Sequence, residues 1–157
     1  MLRSVKVDHG KCRDSYGLVL EMEIEEGENT FTIAFSGDTR PNFSFVSAIL
    51  NRNSGNDVDL LIHEATFLDD KKQDAFDKGH STLSQASIAA EQAGMQGRVI
   101  YTHFSQRYNR RSMEKEVSGK LLAIDGLRIS MTKKGIQLAN ANLPTILGEI
   151  SLQQQEL

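Results

Sequence analysis

Cysteine occurs once in the 157 residues, at Cys12, which excludes an intramolecular disulfide framework and any zinc knuckle built from several cysteines. Proline is almost as scarce, with two residues, and there is no Pro-, Gly- or Ser-rich linker, internal repeat or block of like charge. No apolar run approaches the roughly 20 residues a membrane-spanning helix needs, so no membrane partner is expected. The opening Met-Leu-Arg-Ser-Val-Lys-Val lacks the long apolar segment of a signal peptide. A charge excess is also missing: 18 basic residues face 21 acidic ones, for a net charge of −3. That balance argues against a generic nucleic-acid coat and leaves room for a local basic site. What remains, 39% apolar and 25% charged residues, predicts one intracellular domain long enough to bury a core. The sequence does not choose among nucleus, cytosol and mitochondrion.

Hydrophobic spacing divides the chain into alternating strands and helices. Residues 18–24 alternate apolar and polar positions toward their end and 30–35 throughout, across the polar stretch Glu25-Glu26-Gly27-Glu28-Asn29, which predicts a β-hairpin. Residues 59–62 and 98–102 are short, apolar and β-branched, as in buried strands. Helical spacing covers 42–50, with Pro41 at the first turn, and 81–93, with Ser81 or Thr82 as the cap and Gly94 as a left-handed stop. A third helix is expected over 113–122, a closing strand over 127–131, a turn at 133–135, and a loose tail or short docked helix over 140–157. The domain proper is therefore 1–139. The order hairpin, helix, strand, helix, strand, helix, strand is an α/β pattern, a sheet covered by helices.

Four histidines, His9, His63, His80 and His103, all avoid the middle of these elements. His63 and Glu64 follow the strand at 59–62, His103 follows that at 98–102, and Asp38 in Gly37-Asp38-Thr39 follows that at 30–35. The carboxyl ends of strands form the ligand rim of open α/β sheets, so two histidines and two acids are expected to converge there. Imidazole plus carboxylate is the donor set of a zinc or manganese hydrolase, and Asp38 suits a bridge between two metals. Each residue also has an ordinary reading: a turn or helix cap for Gly37-Asp38-Thr39, a surface pair for His63-Glu64, a helix start for His80. The sequence holds no His-x-His-x-Asp-His or His-Glu-x-x-His cluster, no Ser-His-Asp elbow and no Gly-rich phosphate loop.

Four strings in fitting order carry a resemblance: Phe35-Ser36-Gly37-Asp38-Thr39-Arg40-Pro41, Leu60-Leu61-Ile62-His63-Glu64-Ala65-Thr66-Phe67, Gly79-His80-Ser81-Thr82 and His103-Phe104-Ser105-Gln106-Arg107-Tyr108. With Val7-Asp8-His9 and Ser15-Tyr16-Gly17-Leu18 upstream, residues 5–111 resemble the carboxyl-terminal half of the tRNase Z family, tRNA 3′-processing endonucleases of the metallo-β-lactamase superfamily. The His-Phe-Ser-Gln-Arg-Tyr form is most similar to the long, eukaryotic type. The resemblance implies one half of an αββα sandwich and two zinc ions per complete active site. It implies His9 on the first metal, Asp38 bridging and His103 on the second. Glu64 and His80 match residues of proton transfer, with Asp38 in the same catalytic set. Cleavage would fall on the phosphodiester 3′ to the discriminator nucleotide of pre-tRNA, His80 protonating the leaving oxygen while a carboxylate offsets the helix dipole. Arg107, Tyr108, Arg110 and Arg111 would hold phosphates and a 3′-terminal base.

Three protein ligands leave each metal about two, too few for a tight site. The implied partner is an amino-terminal half bearing His-x-His-x-Asp-His, from the same parent chain or a second subunit, without which the chain is expected to be inactive or very weak. Two other readings stand beside this one: a metallo-β-lactamase phosphodiesterase with another substrate, and a non-catalytic half-domain that docks on a partner.

Overall fold

The computed structural model describes residues 1–23, 30–50, 58–108, 117, 119–123, 127–132 and 135–138. In chain order the elements are β1 (Leu2–His9), β2 (Cys12–Glu23), β3 (Thr30–Phe35), α1 (Phe43–Leu50), β4 (Leu60–Glu64), a 3-10 turn (Asp69–Lys71), α2 (Lys72–Lys78), α3 (Leu83–Gln92), β5 (Val99–Thr102), β6 (Leu121–Leu122), β7 (Ile129–Thr132) and β8 (Gly135–Leu138). The first six strands form one mixed sheet in sequence order. β1, β2 and β3 meander antiparallel, and β3, β4, β5 and β6 run parallel. The parallel pairs β3–β4 and β4–β5 need crossovers, which the segments carrying α1 and α3 supply. No helix of the described residues is long and apolar enough to cross a membrane.

The expected hairpin is the β2–β3 pair, in register from Leu18 with Phe35 to Glu23 with Thr30. β2 starts earlier than its alternation suggested, at Cys12, because its first half pairs with β1. α1 begins at Phe43, capped by Asn42, whose Oδ1 accepts the Phe45 amide at 3.0 Å, so Pro41 precedes the cap instead of occupying the first turn. α3 is capped by Thr82 in a capping box with Gln85, and Gly94 turns left-handed after it (φ +67°).

Two expectations fail. Leu121–Leu122, the end of the expected third helix, form a strand against β5, since two consecutive apolar residues serve a buried parallel strand as well as a helix. Ile129–Thr132 closes no main sheet but pairs with β8 in a separate two-stranded hairpin, and Gly135 of the expected turn begins that partner strand. The remainder of 113–122 lies mostly outside the described residues, and the tail at 140–157 wholly so.

One core lies between the helices and one face of the sheet. Val19, Ala34, Leu61, Val99 and Leu122 from the strands meet Phe45, Val46 and Ile49 of α1 and Leu83, Ala86 and Ala90 of α3. Gly17 in β2 admits the Phe45 ring: a Cβ there would stand 2.7 Å from Phe45 Cε2. The opposite face of β2 and β3 is apolar as well, while β1 puts Ser4 and Lys6 on it beside Leu2. Leu2 pairs with Leu20, Leu20 with Ile33 and Leu18 with Phe35, so these five share a side. Leu18, Leu20 and Phe35 remain 37%, 36% and 40% exposed.

Candidate metal centre at the carboxyl ends of the strands

Five chain segments meet at one edge of the sheet. His9 ends β1, where a bulge between Val7 and His9 shifts the register and re-aims the side chain. Asp38 follows β3 through Gly37, whose φ is +60° and whose Cβ would stand 2.7 Å from the Tyr16 carbonyl oxygen; only glycine lets the loop cross β2 this closely. Glu64 is the last residue of β4. His80 follows Gly79, the left-handed cap of α2 (φ +81°). His103 follows β5 and is the one described non-glycine residue with positive φ, +62°, a conformation held by its surroundings against a steric cost.

Glu64 organises the rim. It is 1% exposed and accepts five hydrogen bonds. Oε1 receives the Thr39 amide, the Ser81 amide and His80 Nδ1, each at 3.0 Å; Oε2 receives the Thr66 amide and hydroxyl at 2.9 Å. Burial pushes its carboxyl upward, but His80, the Thr66 and Thr39 amides and the Thr66 hydroxyl together outweigh it, and the net pKa lies below the ordinary value. With both oxygens saturated, Glu64 is an organising carboxylate and has no lone pair left for a metal.

The histidine tautomers follow from their partners. His9 Nδ1 lies 2.9 Å from the Gly79 carbonyl, an acceptor only, so Nδ1 carries a hydrogen and Nε2 is the nitrogen turned toward Asp38. His80 Nδ1 likewise donates to Glu64. Hydrogen bonding to Glu64 raises the His80 pKa against the opposing effect of burial, and the charges of Glu64 and Asp38 add to the rise. The carboxylate expected to offset the helix dipole at His80 is therefore Glu64. The Thr66 hydroxyl spends its single hydrogen on Glu64, so at 2.7 Å it accepts from His103 Nδ1. His80 lies between its neighbours, edge-on to the His9 ring at 4.8 Å and tilted against the His103 ring at 5.3 Å.

Asp38 lies between two of these rings. Its Oδ2 is 4.0 Å from His9 Nε2 and its Oδ1 is 3.5 Å from His103 Nδ1. Potential donor atoms of His9, Asp38 and His80 fall within 4.8 Å of one another. His9 Nε2 and the half-exposed Asp38 carboxylate fit a divalent metal, and with Nδ1 spent on Thr66 it is Nε2 of His103 that would be left to ligate one.

His63 departs from the expected convergence and is no surface pair either. It is 2% exposed, donates Nδ1 to the Glu64 carbonyl at 2.7 Å and sits edge-on to Phe45 in the core. Alternation along β4 forces this, since His63 and Glu64 point to opposite faces. Arg107 lies beside the site, its guanidinium carbon 4.9 Å from the Phe67 ring centre, with Ser105 and Asp74 as polar partners. The Tyr108 hydroxyl accepts the Leu68 amide at 2.9 Å, a structural use that occupies it. Arg110 and Arg111 lie outside the described residues. Thr66, Gly79 and Arg40 carry geometry that sequence reading assigned to no role; a hydroxyl two residues past a buried carboxylate was the one available signal.

No protein-family model matches the chain. Ribonuclease Z of Saccharomyces cerevisiae is 39% identical over 94 residues, 60% of this chain and 11% of that protein. Ribonuclease Z 1 of Schizosaccharomyces pombe is 40% identical over 114 residues, 71% of this chain and 13% of that one. A crystal structure of a long form RNase Z from yeast superposes with a TM-score of 0.56 at 31% identity, covering 80% of this chain and 15% of that one. The chain is a ribonuclease Z homologue. Human tRNase Z, short form, matches this chain less fully, with a TM-score of 0.51 at 30% identity over 68% of the chain. The mixed sheet with its helices is thus the α/β fold of ribonuclease Z, of metallo-β-lactamase type. The segment spans 11% and 13% of the two fungal relatives' lengths and 36% of the human short form.

Proposed function

We propose that this chain carries part of the active site of a tRNA 3′-end processing endoribonuclease, a zinc-dependent hydrolase that cuts pre-tRNA 3′ to the discriminator nucleotide. The observation that carries the reading is Asp38, with one carboxylate oxygen facing His9 and the other facing His103. His9, Asp38 and His103 would hold the two metals, whose chemistry is charge stabilisation and water activation at a phosphodiester. His80 holds the proton. Its Nδ1 is fixed by Glu64, so Nε2 is the atom that delivers a proton to the leaving oxygen, and the carboxylate keeps the ring protonated at a higher pH than a free histidine. Arg107 supplies a phosphate contact, while Tyr108 keeps the loop after β5 in place.

The donor set calls for completion. Three ligands shared between two metals fall short of the three per metal that a catalytic zinc site takes from protein. An amino-terminal half with His-x-His-x-Asp-His would add the rest and cover the apolar face of Leu18, Leu20 and Phe35. That open face also favours a second reading, a docking half-domain without catalysis. The test is pre-tRNA cleavage by the chain alone and with a ribonuclease Z amino-terminal half added. Cleavage only in the mixture, abolished by Asp38→Ala, is expected. Cleavage by the chain alone, or nearly two zinc ions per isolated chain, overturns the need for a partner half. A mixture that forms a complex yet cleaves neither pre-tRNA nor a chromogenic phosphodiester supports the docking reading.

A further inference from the structure

The loop carrying His9 stands at the edge of the sheet, because β1 pairs with β2 alone. One guanidinium ties it to the segment carrying His80. Arg40 Nη1 reaches the Asp8 carboxylate at 3.1 and 3.3 Å, and Arg40 Nε donates to the Phe76 carbonyl of α2 at 2.7 Å. The guanidinium also lies over the Phe76 ring, 4.3 Å from its centre, and the Arg40 amide donates to the Asp8 carbonyl at 2.7 Å. Asp8 directly precedes His9, and Phe76 lies one turn before Gly79, whose carbonyl receives His9 Nδ1. At that point the two backbones touch: a Cβ on Gly79 would come within 2.6 Å of Gly10 N.

We propose that Arg40 is a positioning residue which fixes the His9 ring against the Gly79–His80 segment. Its planar fork serves two acceptors on two elements while its face stacks on Phe76, which a lysine ammonium cannot do at once. The consequence for catalysis rests on the functional reading above; the geometric claim does not. Arg40 touches no reacting atom and acts through Asp8 and Phe76.

The test uses the metal-free full chain and needs neither RNA nor activity. Nitrogen-15 spectra at a pH of about 8, where an ordinary imidazole is neutral, report the ring N–H of His9 and of His80 separately. In Arg40→Ala and in Arg40→Lys, the His9 Nδ1–H is expected to exchange about ten-fold faster or more, the factor of one lost charge-assisted bond. The His80 signal and the backbone amide spectrum should stay in place. His9 protection retained in either variant overturns the proposal. So does loss spread evenly over His9, His80 and the amides, which would make Arg40 a general fold contact. Should Arg40→Ala not fold, Arg40→Lys and Asp8→Asn carry the same comparison.

Discussion

Replacing Glu64 with glutamine changes one atom at the centre of the rim and should cost far more than its volume suggests. The carboxylate accepts five hydrogen bonds, and an amide can accept at only one end. If the new NH2 faces Thr39 and Ser81, two buried backbone amides lose their acceptor. If it faces Thr66, one amide is orphaned and the hydroxyl turns its hydrogen elsewhere. The second orientation is cheaper, at roughly 1–3 kcal/mol for the orphaned donor plus the weakening of the charge-assisted bonds that remain. Relief of the buried charge offsets part of this, leaving a net loss of about 3 kcal/mol, which at this chain length lowers the melting temperature by about 6–12 °C. The same rearrangement has a spectroscopic mark. A Thr66 hydroxyl released from Glu64 donates to His103 Nδ1, and the hydrogen of that ring moves to Nε2. Urea denaturation with ring nitrogen-15 shifts of His103 reads both effects. A Glu64→Gln variant within about 1 kcal/mol of the parent, with His103 still protonated on Nδ1, would show that the carboxylate does not organise the rim.

Two further outcomes can be checked on the folded chain alone. Burial holds the His63 pKa down, with the Glu64 carbonyl and carboxylate opposing. The unfolded chain therefore binds its proton first, and stability is full above a pH of about 6.5 and is lost as pH falls from there through the lower folded pKa; thermal melts should show this slope, and His63→Leu should flatten it. Gly79→Ala should destabilise by about 2–5 kcal/mol, combining a left-handed alanine with a backbone overlap against Gly10. Gly94→Ala, left-handed but with open space around it, should lose about 1–2 kcal/mol, and equal losses at both positions in chemical denaturation would refute the contact.

Period and punctuation in the sequence carried the strands β2 to β5 and the helices α1 and α3. Alternation found the hairpin, and Thr82 with Gly94 bracketed α3 closely. Leu121–Leu122 were misread because a two-residue buried strand has no period to detect. Asp38, Glu64 and His103 were placed together because each follows a strand, and the rim of a parallel sheet gathers such residues; His9 and His80 joined them only through the family resemblance. His63 was misplaced for the converse reason: strand proximity put it near the rim, whereas alternation decides the face. Tyr108 and Thr66 illustrate a further limit. Whether a hydroxyl meets solvent or a buried amide depends on a loop's path, which composition does not encode.

The bond from His9 to Gly79 spans 70 residues of chain, and this sets an order of events during synthesis. His9 leaves the ribosome first, yet its carbonyl partner, its carboxylate neighbour and the guanidinium that braces its loop all follow. The loop after β1 must wait until α2 has emerged and Gly79 can close against Gly10. Contacts of this separation form slowly, because long loops close before any reward is collected. The rim is thus a marker of late folding: a chain whose His9 ring is held by Gly79 is one in which the first strand and the segment after α2 have already met.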